Sequence, residues 1–171
     1  MKKLFALLAV LAITACTNTN PNSGDGIVKA DESSTSTNDP TPPLWKYILF
    51  VINSHPDHGD NLETARHICD DFKTWLEKTP NAFDMSAFKL ESVSEENGKT
   101  LVNFILDGDS VSLHVRCSDF DRDKAIGLMG NEHFIISGFK MVRYKPAEKV
   151  TSGWLNLGDV YVKDLQVEAV D

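Results

Sequence analysis

The chain has 171 residues and a formal charge of −8, with 25% charged, 42% hydrophobic and 9% aromatic residues. That balance excludes a fibrous, collagenous or wholly disordered polypeptide and fits one domain plus a tail. The acidic excess argues against a nucleic acid as partner, since a polyanion is repelled, and favours a basic or neutral one.

Lys2 and Lys3 precede an unbroken apolar run from Leu4 to Ile13, followed by Thr14, Ala15 and Cys16. A charged start, a short apolar stretch and small residues before a cut predict an export signal over residues 1–15, too short to span a bilayer. Ile13-Thr14-Ala15-Cys16 resembles the lipobox of bacterial lipoproteins. The resemblance implies cleavage before Cys16, diacylglycerol on its sulfur and a further acyl chain, such as palmitate, on its new amine. Such an anchor is effectively permanent, because even two lipid signals hold a protein on a membrane. Thr17 stands where that family's inner-membrane retention signal usually has Asp, which implies the outer membrane, facing the periplasm or the cell surface. Residues 16–43 are dominated by Thr, Asn, Ser, Asp, Gly and Pro. They bury too little apolar surface to offset ordering entropy and read as a flexible tether, with a reach of roughly 30 Å.

Residues 44–171 are the expected globular domain, helical over 44–80. The apolar run from Leu44 to Ile52 follows Pro42 and Pro43, and Thr41 as cap with Pro42 in the first turn favours helix over strand. Leu62, Ala65, Ile68, Cys69, Phe72, Trp75 and Leu76 then recur at three- and four-residue steps. This predicts an amphipathic helix over 61–78, with Asp60 and Glu63 in capping-box spacing and Pro80 beyond its end.

After Asp84 the apolar period changes from 3.6 to 2. Phe88 to Val93 reads as a strand, Asn97-Gly98 as a hairpin turn and Thr100 to Leu106 as the returning strand. Asp107-Gly108-Asp109 makes a second turn. Val111, Leu113, Val115 and Cys117 alternate with Ser112, His114, Arg116 and Ser118, a half-buried third strand. A short helix from Arg122 to Met129, capped by Asp121, precedes a fourth strand over His133 to Tyr144 with a bulge at Gly138. Val160 to Val167 is the fifth.

Three strands, a short helix and two strands follow the order of a five-stranded OB barrel. The stretches Ser110 to Cys117, Phe134 to Met141 and Val160 to Val167 resemble the OB-fold domains of small bacterial lipoproteins, grouped with tRNA-binding anticodon-like modules. The expected fold is therefore α+β: one or two N-terminal helices packed on a five-stranded antiparallel OB-like barrel over residues 86–168. A cystatin-like helix on a curved sheet is the alternative, because the long helix precedes every strand. If the barrel holds, its ligand surface is the outer face of the second and third strands, with Asn103, Ile105, Ser112, His114 and Arg116, together with the loop from Tyr144 to Trp154. That loop brings Lys145, Lys149 and Trp154, a basic-aromatic set able to stack on a base or a sugar, or else a solvated loop with Trp154 folded back.

Beyond Cys16, Cys69 and Cys117 form an even pair on apolar faces in an oxidising compartment. A disulfide there would staple helix to sheet and close a loop of about 49 residues; two separate buried thiols are the other possibility. Neither lies in a Cys-X-X-Cys spacing.

Ser54-His55-Pro56-Asp57-His58-Gly59-Asp60 resembles part of the His-x-His-x-Asp-His zinc motif of the metallo-β-lactamase fold. Asn53 stands where the first histidine belongs, and a polar loop before a helix accounts for the string equally. Asp119-Phe120-Asp121-Arg122-Asp123 mimics the start of a calcium loop, but Lys124 replaces the turn Gly and Gly130 the bidentate Glu, so helix capping is expected. No nucleophile elbow and no phosphate loop occur in the sequence. The expected function is a non-enzymatic binding lipoprotein without cofactor or metal, meeting a basic or neutral envelope protein. An inhibitor or immunity-type protein against a cationic enzyme such as a lysozyme is one version. A structural envelope lipoprotein is the second reading, and a metal-dependent hydrolase using His55, Asp57 and His58 the third.

Overall fold

The computed structural model describes residues 41–170; the 1–15 leader, Cys16 and the tether up to residue 40 lie outside the described residues, as does Asp171. The described chain is α+β, in the order α1 (Pro43–Ser54), α2 (Leu62–Lys78), β1 (Ala87–Glu96), β2 (Lys99–Leu106), β3 (Val111–Phe120), α3 (Arg122–Leu128), β4 (His133–Lys145) and β5 (Leu155–Val170).

Helix α1 starts at Pro43, whose absent N–H costs nothing in a first turn and whose ring presets φ. Its cap position is Pro42, one residue later than the expected Thr41. Leu44, Ile48 and Val51 form its buried stripe, while Leu49 and Phe50 remain exposed. In α2 the cap is Asn61 rather than Asp60: Asn61 Oδ1 accepts from the backbone N–H groups of Glu63 at 2.9 Å and Thr64 at 3.2 Å, satisfying two donors the helix leaves open. Ile68, Cys69, Phe72 and Leu76 face inward as their spacing predicts. Asp121 caps α3 by accepting from the Lys124 N–H at 2.8 Å.

The strands close into a ring in the order β1-β2-β3-β5-β4, sealed where β1 pairs with β4 through Ala87↔Ile135 and Phe88↔Phe134. This closure departs from an open curved sheet. Four of the pairings are antiparallel, but β3 and β5 run parallel, from Val111↔Leu155 to Cys117↔Val162. The expectation of a wholly antiparallel barrel is thus corrected, and the reason is topological. Strand directions can alternate around a closed ring only when the number of strands is even, so five strands require one parallel pair. Here α3 and β4 supply the return that lets β5 enter beside β3.

Strand β5 begins five residues before the predicted Val160. Gly158, at φ +79°, interrupts its period, and the β3–β5 register slips between Ser112 and Leu113. The Asn97-Gly98 hairpin and the irregular pairing around Gly138 are both as expected. Inside the ring, Phe88, Phe104, Leu113, Phe134, Leu157 and Val160 are wholly buried. Each contributes about 2 to 3 kcal/mol by leaving water. Helices α1 and α2 bring a layer of aromatic rings, Tyr47 against Phe72 and Trp75, with Phe72 edge-on to Tyr144 of β4. The packing also explains Gly108: any side chain there would strike the Trp45 ring of α1. Helix α3 packs against β2.

Cys69 and Cys117 are separate buried thiols, which corrects the expected disulfide. Cys69 Sγ lies 3.6 Å from the carbonyl oxygen of Asn156, which pairs with Ser112. Cys117 is five residues further along β3, roughly 16 Å at strand rise. A disulfide needs Cα atoms within about 7 Å.

Candidate binding groove

Beneath the loop joining β4 to β5, the outer faces of β3 and β5 form an open groove of about 290 Å³ lined by Ser112, His114, Arg116, Asn156 and Asp159. Its far wall is the segment from Lys145 to Lys149. Gly158 explains why that segment lies so close: a Cβ there would collide with the carbonyl of Lys145 and the amide of Ala147, and the positive φ independently favours glycine. Gly59, in the loop between α1 and α2, does the same from outside, since a Cβ on it would lie 2.7 Å from the Gly153 nitrogen and 2.9 Å from the Thr151 oxygen. One close backbone approach thus places the wall, and another buttresses the loop beyond it.

The floor is a connected polar network built on the parallel register, in which His114 faces Asp159 and Arg116 faces Tyr161. Arg116 Nε donates to Asp159 Oδ1 at 3.0 Å and Arg116 Nη1 to Asn103 Oδ1 at 3.4 Å. Asn103, buried in β2, donates in turn from Nδ2 to Ser92 Oγ at 2.7 Å, which fixes the orientation of its amide. His114 Nδ1 lies 3.1 Å from Asp159 Oδ1 and 3.3 Å from Arg116 Nη2. One proton on that nitrogen decides whether it donates to the carboxylate or accepts from the guanidinium. In the wall, Lys145 Nζ and Glu148 Oε1 are 2.9 Å apart, and the hydrogen bond from Lys145 holds the Glu148 carboxyl below its ordinary range.

Chemically, Asp159 and His114 make the orienting half of a nucleophilic triad, and Ser112 lines the same groove. The other half does not assemble. His114 Nε2, the nitrogen that would take a proton from a nucleophile, faces Glu91 Oε1 at 3.9 Å. The groove is therefore arranged to hold hydrogen-bonding groups, with Arg116 and Asp159 offering donors and an acceptor from a rigid floor.

Of the residues expected to bind, His114 and Arg116 meet in this groove, joined by Ser112, Lys145 and Lys149. Trp154 does not line it; it stands 44% exposed after the tight turn in which its N–H donates to the Thr151 carbonyl at 2.9 Å. Asp159 falls one residue before the strand that the sequence predicts from Val160, and the longer β5 brings it into the groove. The zinc-like string does not converge: Thr64 Oγ1 donates to Asp57 Oδ2 at 3.1 Å, and His58 Nδ1 lies 2.7 Å from the His55 carbonyl. Among the described residues no three His, Cys, Asp or Glu side chains could share a metal ion. His133 lies elsewhere, with Nε2 2.9 Å from Asp107 Oδ2, while Lys89 Nζ sits 2.6 Å from the other oxygen of that carboxylate. No protein-family model, curated protein or solved structure matches the chain.

Proposed function

We propose that the protein is a non-enzymatic binding lipoprotein, anchored in a bacterial outer membrane through acylated Cys16, whose OB-like barrel offers the β3–β5 groove to an envelope protein. The observation that carries the reading is the self-contained floor of Arg116, Asp159, Asn103 and His114. Its cation and carboxylate offset each other, so the groove suits a neutral, hydrogen-bonding surface. Its volume lies at the low end for sites that enclose a small ligand and fits a side chain of a partner better than a metabolite. The acidic excess of the chain steers a basic partner toward it and makes the encounter sensitive to salt. The five-stranded ring with its helix between β3 and β4 supports the OB-like assignment. Ile13-Thr14-Ala15-Cys16 supports the anchor.

Affinity capture from native envelopes tests the reading, comparing the wild-type chain with Arg116→Glu at low and high salt. A specific partner held by the wild type, lost in Arg116→Glu and weakened by salt is expected. Equal recovery with both chains would reject the groove, and an N-terminal peptide without lipid on Cys16 would reject the anchor.

A further inference from the structure

We infer that the outer face of β4 and β5 is a contact surface for the phosphate groups of an anionic lipid bilayer. The groove residues described above play no part in this, and the inference stands apart from the binding function proposed for them.

Lys140 and Lys163 are direct cross-strand partners in the antiparallel β4–β5 pairing. Like charges directly opposite each other destabilise a sheet. Past the intervening Met141↔Val162 pair and a register shift comes Arg143↔Tyr161, with the guanidinium carbon 4.1 Å from the ring centroid. Among the described residues, Lys140, Arg143 and Lys163 make no ion pair with a carboxylate. Two acids border the face: Asp119, 3.8 Å from Lys99, and the exposed Asp164 beside Lys163. Lys99, Asp119, Arg143, Tyr161 and Lys163 line an open depression of about 400 Å³ there, three cations to one acid. On a chain with a formal charge of −8, three cations on one pair of strands without bonded acids make a local positive face against the sign of the whole.

An apolar residue distinguishes a bilayer from a soluble polyanion as the occupant. Val142 lines the same depression and is 62% exposed, between Lys140 and Arg143. A soluble phosphate chain gains nothing from it. At a bilayer interface an exposed valine enters the acyl boundary while lysine stems lie along apolar surface and keep their charged ends on the phosphates. Each Lys or Arg at an anionic surface strengthens binding about fivefold.

Vesicle flotation of the full chain tests this, with phosphatidylcholine alone against equal parts phosphatidylglycerol and phosphatidylcholine. Residues 1–40 are common to all forms, so the preference for the mixed vesicles is the readout. The wild type should prefer them and lose that preference as salt rises. Lys140→Gln with Lys163→Gln should lower the preference roughly 25-fold. Val142→Ser should weaken binding to mixed vesicles while leaving binding to inorganic polyphosphate unchanged. All three replaced side chains are exposed, and an unchanged melting temperature confirms folding. Equal binding of the wild type to both vesicles, or an unaltered preference in the double variant, overturns the inference. Full competition by polyphosphate together with an ineffective Val142→Ser also overturns it, assigning the face to a soluble polyanion.

Discussion

Arg116 Nε and Asp159 Oδ1 meet at 3.0 Å across the one parallel pairing of the ring. Residues from adjacent strands, 43 apart in sequence, thereby share a charge-assisted hydrogen bond. Both side chains are partly exposed, so solvent screens the pair. Replacing Asp159 with Ala should cost about 1 kcal/mol in urea unfolding, and with Asn less, because an amide oxygen still accepts. Equal losses for the two would show that geometry, not the acceptor, carries the effect.

Two partly buried phenols give the protein an alkaline limit. Tyr144 donates to the Leu157 carbonyl at 2.6 Å and Tyr47 to the Ile68 carbonyl at 3.3 Å. Burial, above all, raises both far beyond the ordinary tyrosine range. Below about pH 10 both states hold these protons. Above it the unfolded chain releases them while the folded one does not, so stability falls with rising pH, by up to about 1.4 kcal/mol per unit for each tyrosine. Unfolding curves between neutral and strongly alkaline pH should show this slope, and Tyr47→Phe with Tyr144→Phe should flatten it.

Gly158→Ala should destabilise by about 2 kcal/mol or more, since the residue sits at φ +79° with backbone directly above its α-carbon. The loss should be local as well as global. Hydrogen exchange at Ala147 and Lys149 should rise more than at the interior residues Leu113 and Val115, and uniform acceleration would contradict the role given to this glycine in seating the groove wall.

Thiol titration of unreduced, denatured protein should find both Cys69 and Cys117 reactive, and the native protein should protect them, because each is buried. Burial also raises the Cys117 thiol above its ordinary range, which slows its reaction further. Recovery of neither thiol without reductant would mean that the two are bridged.

What could be read from the chain follows from how local each signal is. The apolar alternation from Val111 to Cys117 and the three- and four-residue steps of α2 are complete within one element, and both elements form where their period places them. Asp121 could be named as a cap for the same reason. The sequence does not separate Asp60 from Asn61 as the cap of α2, because the two are adjacent and chemically alike, and only the turn geometry selects Asn61. The start of β5 was hidden by Gly158, which breaks a period of two. Strand partners were hidden more deeply. Nothing within β3 or β5 states that they run side by side, so neither the Arg116–Asp159 contact nor the separation of the two thiols could be read from either strand alone. The face of Lys140, Arg143 and Lys163 was concealed by averaging, because a net charge sums over surfaces that never meet.

Strand β5 pairs on one side with β3 and on the other with β4, and it is the last strand among the described residues. Until its 16 residues are in place, both neighbours present unsatisfied edges and the ring has no way to shut. Closure of the ring thus waits on β5: until that strand inserts between β3 and β4 the other four have no shared partner to complete them, and a chain lacking it has nothing to close upon.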